Sequence, residues 1–289
     1  MALRGKQPDD IKKRLKMLLY GTAGAGKTTA AMSFPSPYVI DTERGAENPQ
    51  YLKLLKEKGG ALFQCSDFGE VFKEVKALLS EKHEYKTLVI DPLTTIYNDL
   101  VDTAANDPTE KDPTAFGRHY AVANKHMKKL LQLLLRLDMN VIITTHAKNE
   151  YGNNMSVIGL TYDCYKKLDY LFDLVLEIQK LGKVRTGVVR KSRIATFDEY
   201  EEFEFSYKVI AQKYGADVLE KNAEAEVLAV PAQIKEVARL IELLKIPAEN
   251  IDKWYAKANC GSFEEMSSTH IDACIAQLQK KINTKENDK

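Results

Sequence analysis

A glycine-rich stretch near the start of the chain, residues 21–28, constrains the fold more than any other feature. It matches the pattern G-x-x-x-x-G-K-[ST] in full. The apolar run at residues 15–20 precedes it, and residues 29–32 continue it as the start of a helix. A strand, a glycine-rich loop and a helix in this order predict a phosphate-binding loop on an α/β sheet.

The residue types in this loop suit the chemistry of a nucleotide phosphate. Glycines let the backbone curl so that successive N–H groups point at phosphate oxygens, and the helix start adds its positive dipole end. Lys27 can reach the β- and γ-phosphates, and the Thr28 hydroxyl can ligate Mg²⁺. The alternative is a glycine-rich turn that ends in Lys-Thr, and the flanking strand and helix argue against it. The predicted nucleotide-binding residues are Gly21, Thr22, Ala23, Gly24, Ala25, Gly26, Lys27, Thr28 and Thr29.

The composition narrows the class of protein. The chain has 289 residues, of which 44% are hydrophobic, and this suits one large domain or one domain plus a small one. A net charge of +1 provides no global field that would attract nucleic acid. The 4 cysteines show no C-x-x-C spacing, which disfavours a zinc site or a disulfide framework. Because the sequence contains neither a signal peptide nor an apolar run of membrane-spanning length, we expect a cytoplasmic protein without membrane contact.

Polar residues follow three apolar runs that we predict to be buried strands. The runs are residues 38–41, 87–91 and 140–146. Ligands of a parallel α/β sheet lie beyond the carboxyl ends of its strands. Glu43 could there hold the water that attacks a γ-phosphate, although a polar loop or a helix cap would use the same residues. Asp91 ends its run as in a Walker B strand and would hold Mg²⁺ directly or through water. His146 could sense the γ-phosphate, or it could be an ordinary loop residue.

The character of the sequence changes near Pro231. Strand patterns stop there, and apolar residues such as Ile234, Val237 and Ile241 fall on one helical face. We therefore predict an N-terminal arm, an α/β core and a small helical C-terminal domain with a charged tail. Their predicted limits are residues 1–14, 15–225 and 226–289. Two further polar segments, residues 104–114 and 148–163, are predicted to be exposed loops.

With these residues assigned, the chain resembles the RecA-like recombinase ATPases, and more closely the phage single-strand annealing ATPases that keep only a RecA core. The resemblance covers about residues 14–205. It implies a RecA-like P-loop NTPase fold, in which helices flank a mostly parallel central sheet, and it implies ATP and Mg²⁺ as cofactors. It also implies that Glu43 is the catalytic glutamate, that Tyr51 stacks on adenine and that Asp91 serves the magnesium site. His146 matches the position, often Gln, that couples the γ-phosphate to DNA.

The same resemblance implies partners. Residues 104–114 and 148–163 occupy the positions of the two DNA-binding loops of the family, which implies single-stranded DNA as a ligand. Residues 188–193 resemble a segment whose basic side chains reach the γ-phosphate of a neighbouring subunit. Lys191 and Arg193 would then stabilise charge in trans, or they would form a basic surface turn. A trans role implies a homo-oligomer. Because only a short arm precedes the first strand, we expect a ring or short filament and not the filaments of the full-length recombinases.

Three functions remain open at this stage. The leading hypothesis is a DNA-stimulated ATPase of phage recombination that binds and anneals single strands, in the host cytoplasm if it is phage-encoded. The second is a nucleotide-switched module whose C-terminal helices dock a protein, for example a single-strand-binding protein. The third is a ring helicase or packaging motor with the same core. The candidate catalytic residues are Lys27, Glu43, His146, Lys191 and Arg193.

Overall fold

Nine strands occur in residues 13–287, the part of the chain that this computed structural model describes. They are β1 (Lys16–Tyr20), β2 (Pro37–Asp41), β3 (Ala61–Gln64), β4 (Thr87–Asp91), β5 (Asn140–Tyr151), β6 (Val157–Asp163), β7 (Leu174–Leu181), β8 (Val184–Ser192) and β9 (Glu202–Glu204). Eight of them follow the order β3-β2-β4-β5-β1-β7-β8-β9, and β6 pairs with β5. Neighbours from β3 to β7 are parallel, whereas β7, β8 and β9 pair antiparallel.

Helices separate the first five strands from one another and follow the last strand. They are α1 (Lys27–Met32), α2 (Pro49–Lys58), α3 (Phe68–Ser80), α4 (Leu93–Ala105), α5 (Arg118–Arg136), α6 (Tyr207–Tyr214), α7 (Ala216–Leu219), α8 (Pro231–Leu244), α9 (Ala248–Ala258) and α10 (Ser268–Asn287). The predicted fold class is confirmed: this is an α/β fold with a mostly parallel sheet flanked by helices. The order is RecA-like, because β5 separates the strand before the glycine-rich loop from the strand that ends in Asp91.

Two strands in the middle of the sheet, β1 and β4, are buried along their whole length, which explains their continuous apolar sequences. Every residue of β1 and of β4 is buried. Helices that cover both faces of a parallel sheet remove any polar face, so the strands read as apolar runs rather than as alternating patterns. The helix α1 ends at Met32, and Phe34 then turns into the core between it and the next strand.

Contacts divide the chain into two compact units. Among the described residues, the first contains residues 13–72, His83–Met127 and Leu137–Ala223, and the second contains Lys73–Lys82, Lys128–Arg136 and residues 224–287. Residues 1–12 of the expected arm lie outside the described residues. The domain limits 15–225 and 226–289 stay a prediction.

Within the second unit, α8 and α10 pack on each other around a separate apolar core. Val237, Leu240, Met266, Ile271 and Leu278 are its most buried members. The three helices at residues 231–287 agree with the helical periodicity of the sequence after Pro231. Among the described residues, no helix combines the length and the apolar character that crossing a membrane requires.

Residues 148–163 differ from the predicted loop. The strand β5 continues to Tyr151, β6 begins at Val157, and the two form an antiparallel hairpin that turns at Gly152–Ser156. Most side chains of this ribbon are exposed, so burial leaves no apolar signature in its sequence. Cross-strand backbone hydrogen bonds, rather than a buried face, hold it together. This ribbon is called the β5–β6 hairpin below.

Arg14 was expected in the solvated arm and is instead buried. Its Nε donates to Asp138 at 2.9 Å, and its terminal nitrogens donate to the carbonyl oxygens of Val218, Lys221 and Asn222 at 2.6–2.9 Å. These acceptors lie more than a hundred residues away in sequence, so no local pattern could reveal them. Arg14 thereby ties the start of β1 to the segment that follows α7.

Lys16, the first residue of β1, carries a buried amino group. Its Nζ donates to the carbonyl oxygens of Leu137 and Met139, both at 2.9 Å. Burial lowers the pKa of Lys16 to about 7, although Asp138 opposes the shift. The unfolded chain therefore binds one more proton than the folded chain between about pH 7 and pH 10.

We expect this proton difference to make the protein more stable as the pH rises. The free energy of unfolding should rise by up to about 1.4 kcal/mol per pH unit through Lys16 alone. The free energy of unfolding of Lys16→Met, measured by denaturant titration at pH values from 7.5 to 9.5, should lack this part of the rise with pH. Lys56→Met removes an exposed amine and should keep the wild-type slope. If the free energies of unfolding of the wild type and Lys16→Met change in parallel with pH, the pH dependence does not come from Lys16.

Candidate active site

The glycine-rich loop adopts the curled conformation that the motif predicts. It lies between β1 and α1, with Gly24 at φ 76° and Gly26 at φ 92°. Both values fall in the left-handed region, a backbone conformation that only glycine adopts at little cost in free energy. A Cβ on residue 21 would lie 2.3 Å from the carbonyl oxygen of Ile178, so the loop starts in direct contact with β7. The backbone after Gly26 then enters α1, whose N–H groups face the same side.

Lys27 folds back over this loop. Its Nζ donates to the carbonyl oxygens of Gly21 at 2.9 Å and Thr22 at 3.1 Å. Burial lowers the pKa of Lys27, while the carboxylates of Asp91 and Glu43 oppose the shift. Asp91 at the end of β4 and Glu43 in the segment after β2 are therefore close enough to act on this amine. An ammonium group held by weak carbonyl partners is free to exchange them for phosphate oxygens.

Asp91 lies beside the loop, at the end of β4. Its carboxylate accepts hydrogen bonds from the hydroxyl groups of Thr144 and Thr28. Burial raises the pKa of Asp91, and the two threonine hydroxyls oppose that shift. A threonine hydroxyl from the loop and a buried carboxylate are oxygen ligands of the kind Mg²⁺ prefers when phosphates complete its shell. The residues present thus fit a magnesium ion, which would neutralise phosphate charge there.

Glu43 lies across from Lys27 in the segment after β2. Its Oε1 accepts a hydrogen bond from the Thr95 hydroxyl at 2.7 Å and lies 3.1 Å from Nε2 of His146. The side chains of Glu43 and His146 are 44% and 47% exposed, so water can reach both. Two residues that are distant in sequence are thus brought into contact, one just after β2 and one in β5 directly after the part of that strand that pairs with β1. A carboxylate in this position can accept a proton from a water molecule.

The loop that carries Glu43 is anchored by the residue at the end of β2. The carboxylate of Asp41 accepts from the backbone N–H of Ala46 at 2.8 Å, and from those of Glu43 and Gly45 at 3.2 Å. The turn requires Arg44 in the left-handed region, at φ 56°. Such fixing of the backbone limits the positions that the Glu43 side chain can reach.

The first turn of α4 connects this cluster to the β5–β6 hairpin. The Thr94 hydroxyl donates to the carbonyl oxygen of Asp163 at 2.7 Å and accepts from the backbone N–H of His146 at 2.9 Å. Its neighbour Thr95 holds Glu43. Sequence reasoning missed both threonines, although their hydroxyls directly after the Asp91 strand were a signal that could have been followed.

Three further predicted site residues belong to other elements, and their roles stay predictions. Tyr51 is half-buried in α2 and packs against the main apolar core. The strand β8 runs antiparallel to β7. Its residue Ser192 pairs with Leu174 at the end of the strands that lies away from the glycine-rich loop. Lys191 and Arg193 are therefore far from the loop of their own chain. The opposite end of β8 meets the loop, and Arg185, which sequence reasoning missed, lies there.

Solved structures that are similar to this chain share little of its sequence. Among solved structures, the chain is similar to the RadB recombinase, with 19% identity and a TM-score of 0.43 over 66% of this chain and 87% of that one. It is also similar to a prototypical ATPase from the type III secretion system of pathogenic bacteria, with 14% identity and a TM-score of 0.39 over 92% and 80% of the two chains. No curated protein matches the chain significantly.

A protein-family model described as "AAA domain" matches residues 13–204, which is more than half of the chain. This range begins before β1 and ends with β9, so it contains the complete sheet and every residue of the cluster around Lys27. The match and the geometry of the phosphate-binding loop lead to one conclusion. The chain belongs to the AAA domain family and is a P-loop ATPase with a RecA-like core.

Proposed function

We propose that this ATPase binds single-stranded DNA and promotes the annealing of complementary strands, as the phage annealing ATPases that it resembles do. In this proposal Lys27 and the loop residues bind ATP, Thr28 and Asp91 hold Mg²⁺, and Glu43 activates the attacking water. The observation that carries the proposal is the contact between Glu43 and His146 at the base of the β5–β6 hairpin. In the proposal, this contact couples ATP hydrolysis to the position of the hairpin.

The β5–β6 hairpin carries exposed side chains of the kind that stack on bases. Tyr151 is 59% exposed near its turn, and Met155 and Ile158 are also exposed. Tyr162, in contrast, is held by its hydroxyl, which donates to Asp169 at 2.8 Å. Aromatic faces bind bases of any sequence. We infer that Tyr151, rather than Tyr162, stacks on single-stranded DNA.

The loop after α4 offers a second exposed aromatic residue. Phe116 follows residues 104–114, is fully exposed and has a φ of 52°. A large apolar side chain in water, on a backbone conformation that only a few residues adopt, is costly for a structural role alone. In the proposal, Phe116 also contacts bases.

Few charges are available to bind the DNA backbone. Lys148 pairs with Asp163 at 3.0 Å, and this pairing compensates its charge. Lys166 and Lys167 are exposed beyond the hairpin. A small number of phosphate contacts predicts modest affinity and a shallow dependence on salt, because the slope of log K against log salt scales with that number.

We expect single-stranded DNA to accelerate ATP turnover by the wild-type protein. Tyr151→Ala should weaken DNA binding by about 5- to 100-fold, since one base–aromatic stack is lost. The measurements are fluorescence anisotropy with a labelled oligonucleotide at low salt, and phosphate release with and without DNA.

Tyr200→Ala is the matched control, because Tyr200 is also exposed but lies in the turn between β8 and β9. It should leave DNA binding as in the wild type. An assay of the annealing of two complementary oligonucleotides, with and without ATP, tests the last part of the proposal. The absence of both DNA binding and DNA stimulation at low salt would rule out the proposal.

We further propose that the protein acts as a homo-oligomer, with Lys191 and Arg193 reaching the nucleotide of a neighbouring subunit. Burial lowers the pKa of Lys191, and the neighbouring cation of Arg193 lowers it further. Two adjacent cations suit an anionic ligand such as the γ-phosphate. Tyr51 as an adenine contact and the C-terminal helices as a docking site for a single-strand-binding protein stay predictions.

The contact between Glu43 and His146 also favours a second candidate, a nucleotide-switched module with slow hydrolysis. In that function the imidazole of His146 stays in contact with the carboxylate of Glu43 until ATP separates the two groups. The resulting change in the position of the β5–β6 hairpin is what a partner would recognise. The Glu43 variant described in the Discussion discriminates between the two functions.

A further inference from the structure

The hairpin formed by β7 and β8 packs against one side of the phosphate-binding loop. Gly21 lies directly on the backbone of Ile178 in β7, as its missing Cβ shows. On β8, Arg185 stands opposite Lys180 of β7, near the turn of the hairpin. The antiparallel pairing therefore brings the first residues of β8, and not its last ones, to the nucleotide end of the sheet.

Arg185 lies across the second glycine of the loop. A Cβ on residue 26 would lie 2.2 Å from Nε and 2.9 Å from Cδ of Arg185. The base of the guanidinium group thus covers Gly26, the residue directly before Lys27. This contact, together with the φ of 92°, excludes any side chain at residue 26.

Within residues 13–287, the Nε of Arg185 lacks the acceptor that the Nε of its neighbour on the same strand, Arg190, has. Nε of Arg190 donates to the carboxylate of Glu177 at 2.9 Å. Nε of Arg185 is buried and has no hydrogen-bond partner in the part of the chain that the structure describes. A buried N–H of a charged group without an acceptor is costly, so an acceptor from outside the chain would be favourable.

We propose that Arg185 binds the phosphate chain of the nucleotide in cis, as a second cation beside Lys27. The inference rests on the nucleotide site proposed above. A phosphate chain is the anion that the loop accommodates, and a guanidinium fork can donate to two of its oxygens at once. Lys27 contacts the start of the loop at Gly21 and Thr22, whereas Arg185 contacts its end at Gly26. Both cations therefore contact the loop that would hold the phosphates.

The test is the affinity of the full chain for fluorescent analogues of ATP and ADP. Arg185→Met keeps the apolar stem over Gly26 and removes the donors. It should weaken the binding of ATP by about 10- to 100-fold. Arg185→Lys restores the charge without the fork and should recover part of the affinity. Lys183→Met, in the exposed turn of the same hairpin, removes an equal charge and should bind like the wild type.

Thermal unfolding with and without ATP separates a binding role from a structural one. The binding role predicts that Arg185→Met loses the ATP-induced rise in Tm while the Tm without nucleotide stays close to that of the wild type. Unchanged affinity in Arg185→Met would overturn the inference alone. A wild-type protein that binds neither analogue would overturn the proposed nucleotide site itself, and the inference with it. A drop in affinity that Lys183→Met reproduces would also overturn the inference, because it would reflect charge and not contact.

Discussion

Replacing Glu43 by glutamine is expected to lower ATP turnover by about 10²- to 10⁴-fold while ATP binding is retained. The reason lies in the contacts of the carboxylate. Glutamine can still accept the hydrogen bond of Thr95 through its amide oxygen, and it remains beside His146. It cannot take a proton from water, so only the chemical step is lost. Phosphate release measures turnover, and a fluorescent ATP analogue measures binding.

Glu47→Gln is the control for this experiment. Glu47 lies in the same segment, and its carboxylate accepts from the Gln64 amide at 2.8 Å, away from the cluster around Lys27. It should turn over ATP at the wild-type rate. If Glu43→Gln keeps its rate as well, the carboxylate is not the general base. A normal biological output from Glu43→Gln would then favour the nucleotide-switched module over the enzyme that couples hydrolysis to DNA.

Removing the basic pair, as Lys191→Ala with Arg193→Ala, is expected to lower turnover by about 10³- to 10⁵-fold if both act in trans. Mixing this variant with a second inactive variant should restore ATP turnover. A mixture with Glu43→Gln should regain activity, because one subunit supplies Glu43 and its neighbour supplies the basic pair. In an equal mixture about a quarter of the sites should be complete. ATP turnover of the mixture, compared with each variant alone, is the measurement.

The contacts of the pair explain why mixing, and not one variant alone, is decisive. Lys191 donates to the carbonyl oxygens of Asp169 and Phe172, and Arg193 donates to that of Tyr170 at 2.6 Å. Loss of these bonds could loosen the segment before β7 without any catalytic role. A chain that carries all three substitutions serves as the control, since it cannot complete a site with Glu43→Gln. No recovery in the first mixture would exclude a trans role.

Much of the sheet could be predicted because its signals are local. The run before the glycine-rich loop and the run that ends in Asp91 are buried along their whole length, and continuous burial leaves continuous apolar sequence. The β5–β6 hairpin was read as a loop for the opposite reason. Its strands expose most side chains, and cross-strand hydrogen bonds leave no trace in the order of residue types.

The site was predictable only in part, for a related physical reason. Sequence assigned Lys27, Glu43 and Asp91 to one end of the sheet, because the carboxyl ends of parallel strands meet there. Their partners depend on which elements pack side by side. Thr95 reaches Glu43 from α4, and Arg185 reaches Gly26 from β8, over separations of 52 residues in the first case and far more in the second.

The sequence by itself determined the phosphate-binding loop, because its glycines, lysine and threonine follow one another along the chain. Only the tertiary structure decided what faces this loop. Antiparallel pairing reverses β8, so that Arg185 meets Gly26 while Lys191 and Arg193 lie at the far edge of the sheet. The direction of a strand depends on its partners across the sheet, and such long-range pairing is not encoded in the order of neighbouring residues.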